Sequence, residues 1–211
     1  MKPLILVTGF GAFPGAPVNP TEALVSRLEA SSDTFDGICI LQTAVFDVDY
    51  RSLPLRLETI ASLLCPDIAI HFGLSAAATG FRLERVARNE IRANAPDNAG
   101  FIPDRAPDRA NICEREEALA SSLPLESIHD ALSLQGLPVD YSDDAGGYLC
   151  NFLFYHARSG LCPGFAPAMA GFIHVPPLKA LTTPQGLDME TLVAGASTII
   201  ETCTAHWQAS S

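Results

Sequence analysis

Short apolar runs alternate along the chain with segments in which apolar residues recur every three or four positions. Residues 4–7 are wholly apolar and partly β-branched, as is typical of a strand buried on both faces. Leu53, Leu57 and Ile60 instead share one face of a helix. This reading predicts strands at residues 4–7, 38–46, 68–72, 81–88, 139–142 and 171–175. It predicts helices at residues 20–30, 53–64, 124–135, 148–158 and 188–207, and therefore a layered α/β domain with a mostly parallel sheet.

The first predicted helix has a well-marked start. Asn19 supplies the N-cap, Pro20 occupies the first helical position and Glu22 the third. Residues 89–109 contain three prolines and a glycine, so we predict an ordered loop there rather than a regular helix.

The segment between the first strand and this helix reads Gly9-Phe10-Gly11-Ala12-Phe13-Pro14. A dinucleotide-binding fingerprint would need a third glycine where Pro14 stands, so that interpretation fails. Two interpretations are left open. The glycines permit a tight turn from strand to helix, or Phe10 and Phe13 form the edge of a ligand pocket near the carboxyl ends of the strands.

Composition narrows the class of protein. The 211 residues are 48% hydrophobic and 18% charged, which predicts a single domain, residues 1–211, with a sizeable core. The net charge of −11 disfavours binding to nucleic acid or to an anionic membrane surface. Residues 161–178 are strongly apolar but contain four prolines, so they are not predicted to span a membrane.

The cysteines and the N-terminal residues bear on the compartment. Six widely spaced cysteines form no CxxC motif, which favours free thiols in a reducing environment. The apolar run near the N-terminus has four residues and is shorter than the core of a signal peptide. We therefore expect a cytoplasmic protein. The sequence contains neither a CxxC nor an HxxxH pattern, so it predicts no zinc site.

Three residues are candidates for chemistry, and each has a plain structural alternative. Cys150 follows a Gly146-Gly147 turn at the start of a predicted helix, where a thiolate is favoured, although most cytosolic cysteines are small hydrophobic core residues. His174 ends a predicted strand, where catalytic groups gather in α/β sheets, or it is a satisfied structural residue. Glu84 can equally be one half of an exposed ion pair with a neighbouring arginine.

Five short blocks follow one another along nearly the whole chain: Gly9-Phe10-Gly11-x-Phe13 with Asn19-Pro20, Glu84-Arg85-Val86-Ala87-x-Asn89, Pro96-Asp97-Asn98-x-Gly100, Ala145-Gly146-x-Tyr148-Leu149-Cys150-Asn151 and Gly171-Phe172-Ile173-His174-Val175-Pro176. In content and order they resemble the pyroglutamyl peptidase I family, also called pyrrolidone carboxylate peptidases. The last two blocks are the most specific.

The resemblance implies a three-layer α/β/α sandwich with a mostly parallel, mixed sheet, of the phosphorylase/hydrolase-like kind. It also implies a cysteine peptidase that removes an N-terminal pyroglutamyl residue from a peptide without metal or organic cofactor. Cys150 matches the nucleophile, His174 the general base and Glu84 the group that orients the imidazole. The substrate would lie against Phe10, Phe13, Asn19 and Leu74. The family resemblance further suggests a homo-oligomer, a dimer or tetramer.

The chain departs from the family at positions that concern substrate and charge. Leu74 stands where the family usually has a glutamine that holds the pyroglutamyl lactam, and leucine cannot form that hydrogen bond. Asn94 stands where the family usually has arginine, with Arg92 nearby as a substitute. Asp143 and Asp144 add negative charge near Cys150 and are expected to oppose thiolate formation.

Two other functions compete with a peptidase. A relative that keeps the fold would bind an acyl peptide without turning it over, and thiol reactivity of Cys150 that depends on His174 distinguishes the two. An oxidation sensor is less favoured, because no second cysteine lies close to Cys150 in sequence to act as a resolving thiol.

Overall fold

The computed structural model describes residues 1–92, 95–103, 111–115, 117–179 and 186–210. The strands within these residues are β1 (Leu4–Phe10), β2 (Ile40–Phe46), β3 (Ile68–Leu74), β4 (Phe81–Glu84), β5 (Val86–Arg88), β6 (Ala118–Ala120), β7 (Val139–Ser142) and β8 (Met169–Val175). The helices are α1 (Pro20–Ala30), α2 (Ser52–Leu64), α3 (Leu125–Leu134), α4 (Leu149–Ser159) and α5 (Met189–Ser210), with a 3-10 helix at Ser32–Phe35.

In the described part of the chain, six strands form the main sheet in the order β2-β1-β3-β8-β4-β7. The β1–β2, β1–β3 and β3–β8 pairs are parallel, whereas β4 runs antiparallel to β8 and parallel to β7. The predicted mostly parallel, mixed sheet is therefore confirmed.

Each face of the sheet is covered by helices because both faces of its central strands are apolar. One core joins the sheet to α1, α3 and α5, with Leu28, Leu132 and Ile199 fully buried. The other core joins the opposite face to α2 and α4, with Leu57 and Leu153 fully buried. The result is the three-layer α/β/α sandwich that the family resemblance implies.

The start of α1 follows the predicted cap. The Asn19 side chain accepts a hydrogen bond from the backbone N–H of Thr21, and Pro20 opens the helix. Gly9 was expected in a turn, but it lies inside β1, where its backbone does not adopt a positive φ. It is needed for space, because a Cβ there would lie 2.6 Å from the carbonyl oxygen of Thr21. Helix α1 therefore packs directly on the strand.

The extended segment predicted at residues 81–88 is present as two strands, β4 and β5, which are interrupted at Arg85. The chain turns at Arg85, whose N–H donates to the carbonyl of Ser142 while its own carbonyl accepts from Ser121. Strand β4 stays in the main sheet, and β5 leaves it to pair with β6 in a separate antiparallel ladder. The three-residue β6 has no periodic signal of its own and exists because β5 offers it an edge. Within the described residues, no helix is long and apolar enough to cross a membrane.

Candidate active site

Strands β4 and β8 and helix α4 bring Glu84, His174 and Cys150 together near the carboxyl end of β8. His174 lies near the end of β8, and the antiparallel neighbour β4 places Arg82 opposite His174 and Glu84 opposite Phe172. Cys150 is the second residue of α4, whose N-terminus faces the same end of β8. Because side chains alternate across a strand, His174 and Glu84 project toward α4.

His174 lies between the other two groups. Its Nδ1 is 2.7 Å from Oε1 of Glu84, and its ring also faces the Cys150 sulfur. Burial alone lowers the pKa of His174, but the Cys150 sulfur and the Glu84 carboxylate outweigh burial and raise it from 6.5 to about 9. The imidazole is therefore protonated at neutral pH, beside the sulfur.

Glu84 is fully buried, so it is not the exposed ion-pair partner considered above. The neighbouring arginines have other partners, since Arg82 binds Asp140 and Arg85 binds Asp143. Oε2 of Glu84 accepts no hydrogen bond from any residue that the structure describes. A buried carboxylate committed to one imidazole is suited to fixing the ring orientation and stabilising its protonated form.

The Cys150 sulfur is packed against a glycine of β3. A Cβ on Gly73 would lie 2.9 Å from the Cys150 sulfur and 2.6 Å from the ring of Phe172. The Phe172 ring in turn lies 4.9 Å, centroid to centroid, from the imidazole of His174. Gly73 thus lets the sulfur, the aromatic ring and the imidazole pack together in one layer.

A cavity of about 430 Å³ opens over this layer. Its lining includes Phe10, Phe13 and Asn19 on the β1 side and Leu74 at the end of β3, together with Glu84, Cys150 and His174. Phe13 and Tyr148 form an aromatic wall with ring centroids 6.2 Å apart. The Tyr148 hydroxyl donates to the carbonyl of Pro96, which fixes that wall.

Asn19 lines the cavity, but most of its amide is used within the protein. Its Oδ1 accepts from both the N–H and the hydroxyl of Thr21, and its Nδ2 donates to the carbonyl of Gly11. One N–H of the amide is left for a ligand. Asn19 therefore holds the chain after β1, at Gly11, against the start of α1.

Leu74 is half-buried and lines the cavity, as expected for a residue beside the acyl group. Asn94 lies outside the described residues. Arg92 does not line the cavity; its side chain binds Glu90 and Asp144, and its backbone packs against Gly147. Arg92 is therefore placed to hold the loop before Cys150 rather than a ligand.

Asp143 and Asp144 were expected to oppose thiolate formation at Cys150, but each is paired with an arginine. Asp143 binds the Arg85 guanidinium, and Asp144 binds that of Arg92. Each of the two carboxylates is thus paired with an arginine, so together they disfavour a thiolate less than the sequence alone suggests.

Several polar residues of the five blocks are scaffold. Asn151, next to Cys150, accepts a hydrogen bond from the N–H of Arg88 and donates to the carbonyls of Arg88 and Glu90. The Asp97 carboxylate accepts hydrogen bonds from two backbone N–H groups of its own loop and from that of Tyr50. Asn151 therefore joins α4 to the end of β5, and Asp97 joins its own loop to Tyr50.

Comparison with known proteins agrees with this geometry. Residues 3–206 match the family model described as pyroglutamyl peptidase. The chain belongs to the pyroglutamyl peptidase family. This is a family of cysteine peptidases, and the chain is 37% identical to a pyrrolidone-carboxylate peptidase of Pyrococcus furiosus over 82% of its own length and 80% of the relative's. It is 34% identical to a Brevibacillus brevis protein of the same name, over 96% and 93% of the two chains.

Solved pyroglutamyl peptidase family structures have the same fold. A mutant pyrrolidone carboxyl peptidase of Pyrococcus furiosus superposes with a TM-score of 0.83 at 31% identity, covering 97% of this chain and 99% of the other. The Thermus thermophilus pyrrolidone carboxyl peptidase gives a TM-score of 0.81, also at 31% identity, over 93% and 98%. Among the residues described here, no three His, Cys, Asp or Glu side chains are placed to hold a metal ion.

Sequence reasoning overlooked two residues of this site. Neither Gly73 nor Arg82 is among the candidate residues that the sequence indicates. Arg82 lies two positions before Glu84 on the same strand, so the two-residue period of β4 already places both side chains on one face. That period was the available signal for Arg82; the close approach at Gly73 has none in sequence.

Proposed function

We propose that this protein is a cysteine exopeptidase that removes an N-terminal pyroglutamyl, or closely related cyclic acyl, residue from peptides. The observation that carries the proposal is the position of His174, hydrogen-bonded to the buried Glu84 on one side and facing the Cys150 sulfur on the other. The part of the cavity lined by Phe10, Phe13 and Leu74 is apolar, which supports an uncharged acyl group.

In the first half-reaction, the Cys150 sulfur attacks the carbonyl carbon after its proton has passed to His174. A carbon–sulfur bond forms and the carbonyl electrons move to oxygen. The N–H groups in the first turn of α4 have no intrahelical acceptors and are suited to stabilise this oxyanion. His174 then gives its proton to the amine nitrogen, the carbon–nitrogen bond breaks and the shortened peptide leaves.

In the second half-reaction, a water molecule attacks the thioester. Neutral His174 takes a proton from the water, the carbon–sulfur bond breaks and the acyl group leaves as a carboxylic acid. The thiolate and the imidazolium are thereby restored. Glu84 keeps the ring in the orientation that both transfers need and stabilises its charged form.

Leu74 supports a cyclic acyl group that depends less on hydrogen bonding than a pyroglutamyl lactam does. A buried polar group without a partner costs about 1–3 kcal/mol. Pyroglutamyl amides should therefore be cleaved more slowly than the triad allows, whereas an apolar cyclic acyl group should be hurt less.

A panel of fluorogenic amides, pyroglutamyl and other aminoacyl, tests the proposal with purified protein. We expect turnover that is abolished in Cys150→Ala and retained in Cys65→Ala, because Cys65 is an exposed thiol outside the cavity. In parallel, an alkylating reagent should modify Cys150 rapidly, and His174→Ala should suppress that rate. No turnover together with a Cys150 no more reactive than Cys65 would make the protein a binder instead.

The same proposal covers location and assembly. The cysteines are all free thiols, which supports a reducing, cytoplasmic location. We also propose a homo-oligomer, a dimer or tetramer, on the family resemblance. Analytical ultracentrifugation would show a single monomeric species if that part is wrong.

A further inference from the structure

A second charged group reaches the cavity beside the triad. Arg82 lines the cavity, and its side chain is 25% exposed. It lies directly opposite His174 in the antiparallel β4–β8 pair, so the two side chains project from the same face of the sheet. The backbone of Arg82 therefore lies one strand away from that of His174.

The Arg82 guanidinium is held by hydrogen bonds to groups of the protein. Asp140, opposite Arg82 on β7, accepts from its Nε at 3.2 Å and from its Nη2 at 3.0 Å. Nη2 also approaches the carbonyl of Ala77 at 3.4 Å. Nη1 donates to no residue that the structure describes, so two N–H groups of an oriented fork are available to a ligand.

The order of the strands decides which part of a substrate meets Arg82. Along the floor of the cavity, the β1 side with Phe10 comes first, then β3 with Gly73 against Cys150, then β8 with His174, and then β4 with Arg82. The acyl group lies against the apolar β1 side. The leaving amine takes its proton from His174, so the leaving peptide extends toward Arg82.

The distance between strands limits the length of that peptide. Neighbouring strands are about 4.8 Å apart, and one extended residue spans about 3.3–3.6 Å. A single residue after the scissile bond therefore spans most of the distance from β8 to β4, the strand that carries Arg82. Of the other charged groups in the cavity wall, Glu84 is buried against His174 and Asp144 is bound by Arg92.

We propose that Arg82 binds a carboxylate on the leaving group, and that the preferred substrates are acyl dipeptides whose single leaving residue carries a free α-carboxylate. This inference rests on the proposed function and adds to it the class of the leaving group. An acidic side chain on that residue offers the same chemistry, and the test separates the two sources.

The experiment compares kcat/KM for pyroglutamyl-alanine, pyroglutamyl-alanine amide and pyroglutamyl-glutamate amide. We expect the free acid to exceed the alanine amide about tenfold, which is about 1.4 kcal/mol at 1.36 kcal/mol per decade. Arg82→Gln should bring this ratio close to one, and Arg82→Lys should keep part of it. Arg85→Gln is the matched control, since Arg85 also binds an aspartate but lies outside the cavity, and it should leave the ratio as in the wild type.

A wild-type ratio near one, or a ratio that Arg82→Gln does not change, overturns the proposal. An Arg82-dependent advantage for the glutamate amide but not for the free acid overturns the α-carboxylate assignment. If the circular dichroism spectrum shows that Arg82→Gln does not fold, two other results test the proposal. Arg82→Lys should keep part of the wild-type ratio, and added salt should reduce that ratio in the wild type. If the wild type turns over none of these substrates, the proposed function fails, and calorimetric Kd values for free acid and amide on Cys150→Ala test the carboxylate site separately.

Discussion

Substituting alanine for Gly73 tests how far the position of the nucleophile depends on strand β3. The new Cβ would lie 2.6 Å from Cζ of Phe172 and 2.9 Å from the sulfur of Cys150. Gly73 does not have a positive φ, so the substitution adds no backbone strain and acts through contact alone.

The size of the effect follows from these distances. Ordinary contact begins near 3.4 Å, so the sulfur has to retreat by about 0.5 Å and the ring by about 0.8 Å. Phe172 is fully buried and packed on His174, so its movement disturbs the imidazole as well. Overpacking of this kind costs about 1–3 kcal/mol. A misplacement of about 1 Å costs about 100-fold in rate, so we expect about tenfold here.

The assay measures kcat and KM on a fluorogenic pyroglutamyl amide, the alkylation rate of Cys150, and urea unfolding. Gly73→Ala should lower kcat and the alkylation rate about tenfold and leave KM nearly unchanged. Gly37→Ala is the control, because its Cβ would meet nothing within 4 Å. If Gly73→Ala loses stability but keeps kcat and the alkylation rate within twofold of the wild type, the packing of Gly73 does not set the position of the sulfur.

Three further changes test other parts of the site. Glu84→Gln should lower kcat/KM at least tenfold and move its high-pH limb below pH 9, because Glu84 helps to raise the pKa of His174 to about 9 and the protonated form is lost as pH rises through that value; an unchanged pH profile would remove Glu84 from the triad. Leu74→Gln should raise kcat/KM on pyroglutamyl amides about five-fold to 150-fold, since a lost buried hydrogen bond costs about 1–3 kcal/mol; an unchanged rate means that another group holds the lactam. Asn151→Ala should lower the free energy of unfolding by about 1–3 kcal/mol, because backbone groups of Arg88 and Glu90 lose their partner; urea unfolding like that of the wild type would show that these groups find other partners.

Local signals in the sequence determined most of the element order. The apolar run that begins at Ile68 and the helical period that begins at Leu53 each depend on neighbours a few residues away, so both are visible before folding. The cap at Asn19 is equally local, and its hydrogen bond to Thr21 is as predicted. The triad residues were also identified from short blocks, because the family resemblance is carried by contiguous motifs.

Only the tertiary structure decided what those residues touch. Glu84 is buried on His174, 90 positions away in sequence, while Arg82 and Arg85, its neighbours in sequence, bind carboxylates on the strand and turn of residues 140–143. The split of residues 81–88 between two sheets has the same origin, because β6 exists only where β5 meets it. Strand pairing joins segments that are far apart in the chain, and so does the close contact at Gly73. A local sequence pattern cannot predict the distance between such segments.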